Sequence, residues 1–122
     1  MIAIVATDAP LQPHQLKRLA RRVPLGLART GTVGNNSSGD IFLAFSTANE
    51  DAMGSSSKLR RAHYLANHAI DGLFRAVVEA TEEAVLDSMI CNETMVGRDG
   101  NTAITLPVDE VLQLMRKAGR VA

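Results

Sequence analysis

Two short apolar runs, Ile2-Ala3-Ile4-Val5-Ala6-Thr7 and Ile41-Phe42-Leu43-Ala44-Phe45-Ser46, set the hardest condition on the fold. Both are rich in β-branched or aromatic residues, and neither alternates apolar with polar. Runs of this kind read as strands covered on both faces. Strands are expected over 2–7 and 39–46. Two strands alone make a marginal sheet. The chain thus holds fewer strands than their burial demands, and a partner that supplies the rest of the sheet is expected. The first run starts almost at once, which points to a tightly docked terminus or to a chain cut from a longer one.

Helical patterns lie between and after these strands. Over 14–29, Leu16, Leu19, Ala20, Val23 and Leu27 share one face, with Lys17, Arg18, Arg21 and Arg22 largely opposite. Pro24 lacks an amide proton and clashes with the carbonyl of Ala20, so a kink or break is expected there. Residues 30–38 form a loop of Gly, Asn and Ser, and 47–58, with Gly54-Ser55-Ser56-Ser57 at its centre, reads as a mobile segment. The longest helix is expected over 63–89, on a stripe of Ile70, Leu73, Phe74, Val77, Ala80, Ala84 and Val85. A turn-rich stretch (91–101), a short strand (102–106) and a last helix (107–118) follow. Asp109 and Glu110 suit that helix's first turn, Arg116 and Lys117 its last, and Gly119 its stop. The order β, α, β, α, (β), α is that of an α/β layered fold in one domain, 1–122.

Composition closes off several functions. Formal net charge is zero and aromatics are 3%, so stacking and electrostatic capture of nucleic acid lack support. No apolar run reaches the roughly 20 residues of a membrane span. Cys91 is the lone cysteine, which excludes an internal disulfide and fits a reducing, cytoplasmic compartment. His63 and His68 are five apart and do not share a helical face, His14 stands by the basic helix, and no metal-ligand spacing appears. Gly31-Thr32-Val33-Gly34 lacks the lysine and spacing of a phosphate loop. Asp87 and the acidic group at 79–83 read as a solvated helix face. No cofactor is implied.

Ser38-Gly39-Asp40 is different. A hydroxyl and a carboxylate, one glycine apart, stand at the mouth of a buried strand. Residues two apart on a strand project to one side, and the glycine admits close approach of backbone or substrate. On these residues alone, capping of turn amides is the better reading.

Three blocks change that reading. They are Ala6-Thr7-Asp8-Ala9-Pro10-Leu11 with Pro13-His14-Gln15-Leu16-Lys17-Arg18-Leu19-Ala20-Arg21-Arg22, then Gly26-Leu27-Ala28-Arg29-Thr30-Gly31, then Ser38-Gly39-Asp40-Ile41-Phe42-Leu43-Ala44-Phe45-Ser46-Thr47. Together they resemble the small, C-terminal subunit of the DmpA-type aminopeptidases, the group of L-aminopeptidase/D-amidase-esterases and β-peptidyl aminopeptidases. The resemblance covers nearly the whole chain. It implies a four-layer αββα sandwich of the N-terminal-nucleophile kind, shared with a larger subunit cut from the same precursor. It implies a nucleophilic Ser, freed by self-cleavage, immediately before Met1. Ser38 and Asp40 then fall on the family's Ser-Gly-Asp/Glu pattern, whose role is to orient and activate that nucleophile. Oxyanion donors would come mainly from the larger subunit.

The implied activity is hydrolysis of N-terminal residues from peptides, amides or esters through an acyl-enzyme. A peptide or amide is the implied substrate, and a higher homo-oligomer of the heterodimer is expected; nucleic acid and membrane partners are not. Two alternatives stay open: an acyltransferase of the ornithine acetyltransferase type, and a non-catalytic assembly subunit or fragment lacking the nucleophile.

Overall fold

The computed structural model describes residues 1–50, 58–59 and 61–121. The centre of the segment expected to be mobile (51–57) lies outside the described residues. The elements run β1 (Ile2–Thr7), α1 (Pro13–Ala20), α2 (Val23–Arg29), β2 (Ile41–Ser46), α3 (Asp71–Ile90), β3 (Met95–Val96), β4 (Thr102–Ala103) and α4 (Val108–Lys117). They divide into two compact units, Met1–Glu83 and Ala84–Ala122, with α3 running through the boundary.

In the first unit β1 and β2 pair in parallel, in register from Ile2↔Ile41 to Thr7↔Ser46. A parallel pair needs a long crossover, and α1 and α2 supply it. β1 has the expected bounds; β2 starts at Ile41 rather than residue 39. Helix α1 packs on β2 and, over less of its length, on β1. That covers Ala3, Val5, Phe42 and Ala44, which are half-buried. The opposite face is bare: Ile2 is 72% exposed, Ile4 61%, Ile41 61%, Leu43 54% and Phe45 43%. The strands are apolar on both faces as the sequence shows, but the described residues cover only one of them.

The crossover breaks as Pro24 requires, one turn earlier than the proline itself. Residues 21–22 form the turn, and Pro24 sits in the first turn of α2, where a missing amide proton costs nothing. Gly31, at φ +98°, ends α2, and Thr30 Oγ1 donates to the carbonyl of Leu27 at 2.8 Å. Helix α2 lies hard on α3: Gly26 is buried, and a Cβ there would stand 2.5 Å from the Val78 carbonyl oxygen. Leu11, Leu19, Val23, Leu27, Ile70 and Val77 form the buried core.

One polar side chain belongs to that core. Gln15, 1% exposed, accepts from the Gln12 backbone N–H at 2.9 Å. Its amide donates to the Leu65 carbonyl at 2.7 Å and to Asn67 Oδ1 at 3.0 Å. Gln15→Leu keeps the volume but leaves the Gln12 N–H and the Leu65 carbonyl without these partners. Such groups cost 1–3 kcal/mol when buried, so a loss of about 2 kcal/mol is expected in urea unfolding. A variant as stable as the parent sinks that account.

Three expectations need correction. The long helix starts at Asp71, not at residue 63; a 3-10 turn, Asn67–Ala69, precedes it. Asn67 is committed to Gln15 and Arg18, and the Leu65 N–H to the Pro10 carbonyl. Those long-range bonds hold 65–67 out of the helix. Ala80 and Ala84 face solvent, while Thr81 and the Val78 carbonyl lie against Gly26 of α2. Arg18 and Arg22 do not stand wholly opposite the apolar face: their guanidinium carbons lie 5.0 and 4.0 Å from the Phe74 ring centroid. Both are half-buried, whereas Lys17 and Arg21 are exposed.

In the second unit β3 and β4 form a short antiparallel pair, Met95↔Ala103 and Val96↔Thr102. The strand expected over 102–106 is thus two residues long. Helix α4 carries the expected charges at its two ends. Gly119, at φ +64°, stops it, and the Arg120 N–H closes back on the Met115 carbonyl at 2.9 Å. Among the described residues no helix is long and apolar enough to cross a membrane.

Candidate active site

Parallel pairing brings the starts of β1 and β2 to the same edge. The ladder continues one step beyond β1: the Ile41 N–H donates to the Met1 carbonyl at 2.9 Å. Asp40 therefore stands beside the first residue of the chain. The α-amino nitrogen of Met1 donates to Asp40 Oδ1 at 2.6 Å. The two side chains keep 46% and 26% of their exposure, so the pair is open to a ligand on one side.

The approach to Asp40 is a loop with its own turns. Gly34 stands at φ +66°, and its N–H donates to Thr32 Oγ1 at 3.3 Å. The Ser38 N–H closes a turn on the Asn35 carbonyl at 2.8 Å. That leaves the Ser38 hydroxyl for Asp40. Two donors thus favour the ionised carboxylate: the nitrogen of residue 1, the larger influence, and the side chain of Ser38. Together they hold the Asp40 carboxyl below its ordinary value of 3.8. At Gly39 a Cβ would meet nothing within 4 Å, so in this chain the glycine opens space and does not relieve a contact.

The opposite edge is structural. Thr7 Oγ1 accepts from the Ala9 N–H at 3.1 Å, and Ser46 Oγ donates to the Ala9 carbonyl at 2.6 Å. Asn49, at φ +61°, exchanges two bonds with the main chain of His63. The Ala-Thr-Asp-Ala-Pro block thus shapes the turn that leaves β1.

Among the described residues, Cys91 and Glu82 have partners other than Asp40. The hydrogen bond that Cys91 gives Asp87 at 3.3 Å pushes its thiol up, away from the reactive thiolate. Glu82 pairs with Arg29 at 2.9 Å. Among the described residues no three His, Cys, Asp or Glu side chains gather as metal ligands. What periodicity did not reveal was the main chain of residue 1 as part of the site. The parallel register of β1 and β2, which no local pattern sets, puts residue 1 against residue 40.

Comparison with known proteins bears on this edge. A family model described as peptidase family S58 matches residues 1–103. The chain is 40% identical over 122 residues to a β-peptidyl aminopeptidase, BapA, from Sphingosinicella microcystinivorans, covering 100% of this chain and 31% of that protein. It is 38% identical over 117 residues to BapA of Sphingosinicella xenopeptidilytica, covering 95% and 29%. The chain thus spans about a third of the length of these relatives. Among solved structures it is similar to the L-aminopeptidase D-Ala-esterase/amidase of Ochrobactrum anthropi, described as a variant of the Ntn hydrolase fold. The TM-score is 0.83 at 38% identity, over 99% of this chain and 34% of that one. The PH0078 protein of Pyrococcus horikoshii gives a TM-score of 0.85 at 43% identity, over 98% and 34%. The α/β architecture is that of the corresponding third of these folds.

Proposed function

The chain belongs to peptidase family S58, and from that premise we propose that it is the small subunit of a self-processed serine aminopeptidase or amidase. The nucleophile is a Ser that cleavage exposes immediately before Met1. The contact that carries the reading is the one between the nitrogen of residue 1 and Asp40 Oδ1 at 2.6 Å. It supports the reading that a residue ahead of Met1 would stand at the edge of Ser38 and Asp40.

Each group then has a task. A free serine hydroxyl is a weak nucleophile and needs a base or a hydrogen-bond relay. The α-amine of the new terminus, with an ordinary pKa of about 8, serves as base. Ser38 relays a hydrogen bond to the nucleophile, and Asp40 holds Ser38. The nucleophile's oxygen attacks the carbonyl carbon of the substrate, the amine or alcohol leaves with a proton, and water hydrolyses the acyl-enzyme. Oxyanion donors come from the larger subunit.

The larger subunit also closes the sheet. The bare face of Ile2, Ile4, Ile41, Leu43 and Phe45 is where its strands would pack, completing the αββα sandwich as one domain. Support comes from the chain's span of about a third of its relatives. A higher homo-oligomer of the heterodimer, a peptide or amide substrate and a cytoplasmic location complete the proposal.

The test uses the full-length protein after processing. N-terminal sequencing of the small chain is expected to read Ser and then Met1. A serine-directed sulfonyl fluoride is expected to add one sulfonyl group to that chain by intact mass and to abolish release of p-nitroaniline from an aminoacyl p-nitroanilide. A small chain that begins at Met1, or activity that survives full sulfonylation, overturns the proposal.

A further inference from the structure

We infer that α4 is a self-association surface: two copies of this chain pair through it, antiparallel, about a twofold axis. The inference gives a surface to the homo-oligomer proposed above and is independent of the nucleophile.

The helix has an apolar face that its own chain leaves open. Val108, Val111, Leu112 and Met115 recur at the three- and four-residue spacing of one helical side, and Leu114 widens that side. None of the ten residues of α4 is buried. Val108 is 38% exposed, Leu114 64% and Met115 37%, while Val111 and Leu112 are half-buried. At 1.5 Å per residue the helix is about 15 Å long, too short to hold two copies alone. The same unit also exposes Met89, Ile90, Met95, Val96 and Ile104. These side chains supply the rest of the area that a stable pair must bury.

Charge names the occupant. Asp109 and Glu110 stand in the first turn of α4, Arg116 and Lys117 in the last. Residues seven apart lie almost on one line along a helix. Asp109 and Arg116 therefore share one flank of the apolar face, and Glu110 and Lys117 share the other. A twofold axis across the helix turns each flank onto the same flank of the second copy and reverses its direction. Glu110 then meets Lys117 of the second copy, and Asp109 meets Arg116 of the second copy. A parallel pair would set Glu110 against Glu110 and Lys117 against Lys117. The helix dipoles favour the antiparallel choice as well.

The larger subunit is the competing occupant. The family model matches residues 1–103 and stops before α4, so the helix lies outside the stretch that the model describes. The larger subunit completes the fold common to the family, which leaves a helix beyond that stretch for contact between heterodimers.

Sedimentation velocity of the processed full-length protein tests this. The parent is expected to sediment as more than one heterodimer. Glu110→Lys sets lysine against Lys117 of the second copy, twice across the axis. It is expected to raise the dissociation constant between heterodimers by about 10-fold, and Lys117→Glu to do the same. Glu110→Lys combined with Lys117→Glu restores opposite charges and is expected to return to within about threefold of the parent. Leu114→Gln is expected to release single heterodimers that keep both chains. A parent that sediments as one heterodimer, single reversals without effect, or a double variant as weak as the singles overturns the inference. Loss of the larger chain in Leu114→Gln also overturns it, because that subunit is then what covers α4. The sulfonyl adduct does not depend on these variants, so failure here leaves the catalytic reading standing, and a missing adduct leaves this inference standing.

Discussion

Gly26→Ala is expected to destabilise the protein by about 3 kcal/mol, the upper part of the range for overpacking. Helix propensity argues the other way, since Ala is better than Gly in a helix interior by about 1 kcal/mol. Packing decides the sign. The added Cβ would stand 2.5 Å from the Val78 carbonyl oxygen and 2.6 Å from Thr81 Cβ. Neither atom can swing aside as the tip of a flexible side chain can: one is backbone and the other is bonded to it. Thr81 is also pinned, its hydroxyl donating to the Val77 carbonyl at 2.7 Å. Helices α2 and α3 must therefore move apart at Gly26, beside a core to which Val23, Leu27 and Val77, all buried, belong. Urea unfolding of parent and variant measures the change in midpoint at constant slope. A variant equal to or more stable than the parent means that propensity outweighs the clash and that the two helices are not in close contact.

Ser38→Ala is expected to do the reverse, lowering kcat by about 100-fold or more while leaving stability almost unchanged. Ser38 is exposed, and its turn bond to the Asn35 carbonyl comes from the main-chain N–H, which alanine retains. The substitution deletes only a hydroxyl. If that hydroxyl merely caps a turn, turnover falls no more than a few-fold. Measuring kcat and the unfolding midpoint on the same processed sample separates the two roles. Activity within a few-fold of the parent returns Ser38 to a turn residue.

Residue periodicity carried the fold where local pattern and tertiary structure agreed. The strand Ile2–Thr7 was legible to the residue because a short apolar run rich in β-branched residues, with no polar alternation, reads as a covered strand. The break near Pro24 was legible because the missing amide proton is a local fact. The start of α3 was not: helical spacing continues through 63–70, but Gln15 and Pro10, some fifty residues away, bond the main chain and side chains of 65–67. The Arg18–Arg22–Phe74 stack was hidden for a related reason. Hydropathy counts guanidinium groups as solvated and does not record that their planes can lie on an aromatic ring.

The candidate site was half legible. Ser38 and Asp40 could be singled out by residue type and by family resemblance, but no pattern in 31–40 shows what faces them. That followed from a non-local fact, the parallel register of β1 and β2. A one-residue slip would send Ile2 and Ile4 to the helix side and carry residue 1 away from Asp40. The site thus depends on sheet pairing thirty-nine positions apart in the chain.

The bare side of β1 and β2 has a consequence for anyone who makes this polypeptide. Produced by itself, it offers a two-stranded ribbon with five large apolar side chains toward water and a free edge on each strand, the surface on which chains stick to one another. Yield of dispersed material therefore tracks how fast that side is covered after synthesis. A segment able to cover it, tethered in the same chain, would have its local concentration set by tether length rather than by expression level. A stand-alone version calls for threonine or lysine at Ile2, Ile4, Ile41 and Leu43. Those positions can be rewritten without touching the side that α1 covers.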